Sequence, residues 1–235
     1  MELTIRNLSK AYSGRQIFNR LSFTFECGVN YLVAPNDTGK STLLKLIADI
    51  EKKDRGEILF NGFSKKFSDY GSYVPDKITM CPFITGQEFL NIVNSAKGSS
   101  KEEPLLSDLL KCFNISQYLG VTFSKMSFGT QKKFFLMAGL VGDFSCLLMD
   151  EPSNAIDKQS IDTVIACLNE ISKDKMILIA THDQYLQSQL PGSVFELNSN
   201  SWCCDVNQGA HPMGLSSSVI VKSIIYGFMI KVPSK

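Results

Sequence analysis

The sequence predicts an α/β fold: a mixed sheet whose parallel, helix-flanked core is preceded by an antiparallel β portion and carries an inserted, mostly helical subdomain. Two patterns carry this expectation. Short apolar runs at residues 30–34 (NYLVA), 146–149 (CLLM) and 176–180 (MILIA) read as buried strands. Between them lie apolar residues at helical spacing. Leu43, Leu44, Leu46, Ile47 and Ile50 follow the first run, and Ile161, Val164, Ile165, Leu168 and Ile171 separate the second from the third. Strand and helix alternating in this way build a parallel sheet with helices on its faces.

The other elements follow in chain order. Residues 3–8, 21–26 and 56–60 read as alternating or hairpin strands bounded by Gly14, Gly28 and Gly62, which places the antiparallel portion first. From about residue 77 to 125 the strand signal fades, and Phe89, Leu90, Ile92, Val93, Leu105, Leu106, Leu109 and Leu110 fit helices broken at Gly98, Ser99 and Ser100. Residues 1–202 form one expected domain and 203–235 a tail of different character. Within the tail, residues 219–230 (VIVKSIIYGFMI) are apolar but interrupted by Lys222 and Gly227, too short and broken to span a membrane, so a docking strand or helix is expected, with contact to a membrane partner as the alternative.

Composition excludes several classes. With 44% hydrophobic and 20% charged residues and a mean hydropathy of +0.01, the chain is too apolar for disorder and too polar for a multi-span membrane protein. It holds 24 Lys and Arg against 23 Asp and Glu, a net charge of +1, so no bulk field for nucleic acid exists and no nucleic-acid partner is expected. The seven cysteines show no metal-ligand spacing, and reduced thiols in a cytoplasmic protein are the reading. The opening MELTIRNLSKAYSGRQ has none of the features of a signal peptide.

The strongest chemical signal is APNDTGKST at residues 34–42. A loop that leaves a buried strand and opens a helix lays successive backbone N–H groups around phosphates. Gly39 permits close approach, Lys40 meets the β- and γ-phosphate charge, and the Ser41 hydroxyl ligates magnesium. Ala34, Pro35, Asn36, Asp37, Thr38 and Thr42 complete this P-loop, with Ala34 where the pattern usually begins with glycine. The second signal is LLMDEP at residues 147–152. A carboxylate at the C-terminal end of a buried strand lies where a parallel sheet presents ligands, so Asp150 can hold magnesium through water while Glu151 polarises an attacking water. Taken by itself such a pair is more often charge at a helix N-terminus.

Further motifs appear in order, and over about residues 1–200 the chain resembles the nucleotide-binding domain of ABC ATPases. Tyr12 in SKAYSGR matches the aromatic that stacks on adenine. MSFGT at residues 126–130 is similar to the LSGGQ signature, SNAID at 153–157 to the loop after the second carboxylate motif, and His182 in ATHD to the switch histidine. Ser127 lies 23 residues before Asp150, and Asp150 lies 32 before His182, both typical of the family. The resemblance implies a P-loop NTPase fold of ABC type that binds ATP and Mg2+. Glu151 would be the base, with Lys40 and His182 on the γ-phosphate. Ser127 and Gly129 would bind the ATP of the opposite subunit, so a homodimer or a paired ATPase subunit is implied. A separate transmembrane permease subunit is the implied partner, which makes the chain cytoplasmic and peripheral on the inner face of the membrane.

The sequence departs from the family pattern at Asp76 in SYVPDK, where a glutamine that reaches magnesium is usual, and Asp76 joins Ser41 and Asp150 as a candidate metal ligand. Asp37 replaces a glycine, and Phe128 and Thr130 alter the signature. Extra carboxylates near a polyanion open a rival reading, a weakly active regulatory nucleotide-binding module. A soluble assembly-type ABC ATPase with no transport role is the second rival. The short chain and altered signature lean toward an exporter. Lys132 and Lys133 read as a solvated helix face, and Asp157 as the cap of the helix holding Ile161 and Val164 or, by resemblance, a contact across the dimer. Phe83, Ile84 and Phe89 read either as core or as an apolar surface for the membrane partner.

Overall fold

A computed structural model describes residues 1–35, 38–78, 81–97, 103–198 and 201–205. The chain opens with a hairpin of β1 (Glu2–Tyr12) and β2 (Arg15–Glu26). β3 (Gly28–Val33) then starts a second sheet, α1 (Lys40–Ile47) follows it, and β4 (Arg55–Phe60) returns to β1. The first sheet is antiparallel in the order β2-β1-β4. Its two hairpin strands run longer than the alternation in the sequence indicates. The pairing shifts register between Ile5 and Leu8 and again beyond Leu8, and Asn7 (φ 49°) and Arg20 (φ 53°) take left-handed backbone. Bulges of this kind break the period of two, so pattern reading stops at the first one.

The second sheet adds β5 (Gly71–Val74), β6 (Cys146–Asp150), β7 (Met176–Ala180), β8 (Ser193–Asn198) and β9 (Ser201–Asp205) in the order β5-β6-β7-β3-β8-β9. Its first five strands are parallel, and β9 pairs antiparallel on the edge. Between β5 and β6 come α2 (Gly86–Lys97), α3 (Glu103–Cys112) and α4 (Phe128–Leu140). α5 (Lys158–Ile171) joins β6 to β7, and α6 (Gln184–Gln189) follows β7. α2 starts at a reciprocal cap, in which the Glu88 carboxylate accepts from Thr85 N at 2.7 Å and Thr85 Oγ1 accepts from Glu88 N at 3.3 Å.

This parallel sheet separates two hydrophobic cores. Leu147, Met149, Ile177 and Ile179 face Phe89, Leu109, Phe134 and Leu168 of the helices. Their neighbours Cys146, Leu148, Met176 and Leu178 face Leu43, Leu44 and Ile47 of α1 and Leu3, Ile5 and Phe25 of the antiparallel sheet. Each fully buried side chain contributes roughly 1.5–3 kcal/mol, and a one-residue slip of β6 or β7 would exchange the two sets. That locks the register on which the strand ends depend.

Three details differ from the sequence reading. α1 ends at Ile47, because Asp49 takes left-handed backbone (φ 56°), and Ile50 is exposed. Phe89 belongs to the core and Ile84 packs partly buried against it, whereas Phe83 is 81% exposed. β9 runs past the boundary expected at Trp202, to Asp205; the apolar stretch at 219–230 lies outside the described residues. Among the described residues no helix is long and apolar enough to cross a membrane. Cys27, Cys81, Cys112, Cys146 and Cys167 are free thiols.

Candidate nucleotide site

The ends of β3, β6 and β7 lie level, because Leu32 and Asp150 both pair with Ala180. The segments leaving these strands are the P-loop, the Asp150–Glu151 pair and the turn bearing His182. They meet at one edge, which is where a parallel sheet presents ligands.

Gly39 is the N-cap of α1 and has φ 106°. A Cβ there would lie 2.7 Å from Ile17 Cγ2 and 2.9 Å from Phe18 Cζ, so the hairpin wall and the backbone both require glycine. Next in line, Lys40 turns its ammonium back into the loop and donates to Ala34 O at 2.6 Å and Pro35 O at 3.2 Å. The same nitrogen lies 2.9 Å from His182 Nε2. A charged ammonium only donates, so this contact is a hydrogen bond when Nε2 carries no proton. Thr38 Oγ1 donates to Pro35 O at 2.7 Å. Thr42 stands in the first turn of α1, while Asn36 and Asp37 lie outside the described residues.

Ser41 Oγ donates to Asp150 Oδ1 at 3.1 Å. Asp150 is only 3% exposed, and burial pushes its carboxyl above the usual range. The Ser41 bond opposes that, Asp76 and Glu151 reinforce it, and Lys132 pulls back. Two hard oxygen donors side by side, one a desolvated carboxylate, suit a divalent cation such as Mg2+.

Glu151 is held in left-handed backbone, φ 44°, which costs a non-glycine residue on the order of 1 kcal/mol. Its N–H donates to Ala180 O at 2.8 Å. Its carboxylate accepts from His182 N at 3.3 Å and lies 3.7 Å from His182 Nε2. Lys40, Ser41, Asp150, Glu151 and His182 therefore converge.

The remaining candidates stand on other elements. Ser127 caps α4, accepting from Thr130 N at 3.2 Å, and Gly129 is packed so closely that a Cβ would sit 2.3 Å from Ala155 O. The Tyr12 hydroxyl donates to Glu51, which also pairs with Lys45 at 3.5 Å, and Lys10 Nζ stands 4.8 Å from the Tyr12 ring centroid. Tyr12 is thus tied to the C-terminal end of α1. Asp76 Oδ1 accepts from Asn154 Nδ2 at 2.9 Å and lies 4.0 Å from Lys132 Nζ.

The two lysines are not a solvated face. The Lys132 side chain is 0% exposed and that of Lys133 16%. Lys132 donates to Pro75 O at 2.8 Å and Asp150 O at 3.2 Å, and burial draws its ammonium below the usual lysine range against the pull of Asp76, Asp150 and Glu151. Lys133 pairs with Asp157 at 2.5 Å, and Asp157 caps α5, accepting from Ser160 N at 3.0 Å. α4 is covered by α2, α3, α5 and β5, so a cation on it ends buried among carbonyls. In FGTQKKFFLMAGL no polar stripe marks which side faces water, and Lys132 and Asn154 leave no signal that pattern reading detects.

Comparison with known proteins identifies the family. Residues 18–154 match the family described as ABC transporter. The chain is 30% identical over 210 residues to a tungstate uptake system ATP-binding protein from Peptoclostridium acidaminophilum, covering 85% of this chain and 95% of that protein. It is 28% identical over 208 residues to a zinc import ATP-binding protein from Wolbachia pipientis wMel, covering 86% and 81%. A solved ATP-binding subunit of an ABC transporter superposes with a TM-score of 0.77 at 23% identity, covering 86% of this chain and 88% of that one; this likeness speaks for the fold.

Proposed function

As the chain belongs to the ABC transporter family, whose ATP-binding domains are ATPases, we propose that it powers a transporter by hydrolysing Mg-ATP at the edge where β3, β6 and β7 end. The observation that carries this reading is the convergence there of Lys40, Ser41, Asp150, Glu151 and His182. Lys40 binds the β- and γ-phosphates together with the P-loop amides. Ser41 and Asp150 would hold Mg2+, which supplies charge neutralisation on the phosphate oxygens. Glu151 accepts a proton from the attacking water, and His182 orients the γ-phosphate. The half-exposed Tyr12 ring offers a face to adenine. Asp76, whose charge acts on Asp150, is the third proposed metal ligand.

Dimerisation is part of this proposal, and the position of Ser127 and Gly129 supports it. They lie at the α4 N-terminus beside Thr130 and Ala155, where their hydroxyl and amide would serve a γ-phosphate presented by a second chain. A head-to-tail dimer, or a pairing with a related ATPase subunit, supplies it. Helices α2 and α3 would carry the closing motion to a separate membrane permease, which keeps the chain at the inner face. The two relatives serve uptake and import, and this favours uptake over the export toward which the altered signature leans.

The test is steady-state ATPase activity of the purified full chain with Mg-ATP, alone and with the membrane protein that co-purifies in mild detergent. Turnover that chelation of Mg2+ abolishes is expected. ATP-dependent dimerisation with no turnover in either sample would instead favour the regulatory module, and a soluble partner in place of a multi-span one would favour the assembly-type ATPase.

A further inference from the structure

Lys132 is a buried cation to which the reading above gives no task. From the second turn of α4 its ammonium meets Pro75 O in the loop after β5 and Asp150 O at the end of β6, and it faces Asp76 Oδ1 at 4.0 Å. The Asp150 carbonyl belongs to the peptide unit whose N–H is that of Glu151. That N–H donates to Ala180 O at 2.8 Å, so one peptide plane is pinned at both ends. Glu151 hangs from this plane in left-handed backbone, and the tilt of the plane sets where its carboxylate points.

Charge gives the second half of the argument. An ammonium bonded only to carbonyls in a dry site is costly, and the Asp76 carboxylate supplies the opposite charge. Without Lys132, Asp76 would add a further negative charge beside Asp150 and Glu151. Asn154 Nδ2, bonded to the same Asp76 oxygen, extends the link to the segment that follows β6. We propose that Lys132 is a positioning residue for hydrolysis, fixing the Asp150–Glu151 peptide and tying it to the loop after β5, with Asp76 as its counter-charge. This rests on Glu151 being the base.

A double-mutant cycle on the full chain tests it, with kcat and KM for Mg-ATP and the melting temperature measured for wild type, Asp76→Asn, Lys132→Gln and the double variant. Lys132→Gln should lower kcat by about tenfold or more, the scale of a misplaced catalytic group, while KM stays within about twofold. The double variant should exceed the product of the single effects on kcat by about threefold or more, and its melting temperature should lie above the sum of the single shifts. Multiplying effects with additive melting shifts, an unchanged kcat in Lys132→Gln, or a raised KM at constant kcat would each overturn the proposal. Lys132→Met is the second variant if Lys132→Gln does not fold. Met fills the space without donating and is made together with Asp76→Asn, so that no carboxylate is left facing it; this pair should stay near the wild-type melting temperature and still lose kcat, whereas loss of neither, or of stability alone, rejects the positioning role. Glu151→Gln separates the two readings. Wild-type turnover in that variant would remove the base, and the melting cycle would still decide whether Asp76 and Lys132 are a pair.

Discussion

In the proposed function Lys40 and Glu151 would do different work at one edge of the sheet, and their substitutions should separate binding from chemistry. Lys40 is the cation that the P-loop places at the head of α1, with its ammonium on Ala34 O, Pro35 O and His182 Nε2. Phosphate oxygens offer that ammonium stronger, charged acceptors. Lys40→Ala should therefore abolish ATP binding in titration calorimetry, and an affinity equal to wild type would remove the P-loop reading. Glu151→Gln is nearly isosteric and leaves the backbone bond to Ala180 in place, but an amide accepts no proton. Binding should persist while turnover falls by about a hundredfold or more, the scale of a lost general base. Equal loss of binding and turnover would mean that Glu151 holds the fold of the site rather than acting on water. At Gly39 the argument is steric. Gly39→Ala forces a Cβ between Ile17 and Phe18 at φ 106°, so both the melting temperature and ATP affinity should drop.

Among the elements, α5 shows how a site loop is also a stability device. Asp157 caps it and pairs with Lys133 of α4, joining the segment after β6 to the helix after the signature. Partial burial pushes the Asp157 carboxyl up, but the bonds from Lys133 and Ser160 outweigh it and bring the group down to about 2. Its folded pKa thus lies below the unfolded value of about 3.9, so the contribution to stability is full above about pH 4 and is lost as pH falls toward 2. Asp157→Ala should lower stability by about 1 kcal/mol at neutral pH, the usual cap scale, and the gap from wild type should close between pH 4 and 2 in denaturant titrations. A gap that is constant with pH would mean that only the cap geometry matters. The elements also show what the sequence makes legible. β6 and β7 stand out because both their faces are apolar, and the P-loop because backbone phosphate binding demands Gly, Lys and Ser at fixed spacing. Hidden from it are the full length of β1, whose bulges break the alternation, and the burial of Lys132, which depends on carbonyls brought from Pro75 and Asp150. Tyr12 is legible as an aromatic of the right motif, but not its tie through Glu51 to α1.

At the scale of the whole molecule, the parts that the proposed ATPase needs stand on several elements of one chain. Lys40, Ser41, Asp150, Glu151 and His182 share the strand-end edge, whereas Ser127 and Gly129 stand at the head of α4, where Gly129 packs against Ala155 O and Phe128 is exposed. An exposed phenylalanine between a capping serine and a glycine that touches Ala155 is, among the described residues, an uncovered apolar surface. If that surface closes on the ATP of a second chain, nucleotide is buried between two copies, and hydrolysis is what releases them. Glu151→Gln, by blocking hydrolysis, should then accumulate a dimer in Mg-ATP that light scattering reads as twice the monomer mass. Wild type should show it only transiently, and Glu151→Gln combined with Ser127→Arg, which sets a bulky cation at the α4 N-terminus, should remain monomeric. A Glu151→Gln protein that stays monomeric at saturating Mg-ATP, while still binding the nucleotide, would mean that the site is completed by a different subunit rather than by a second copy of this chain.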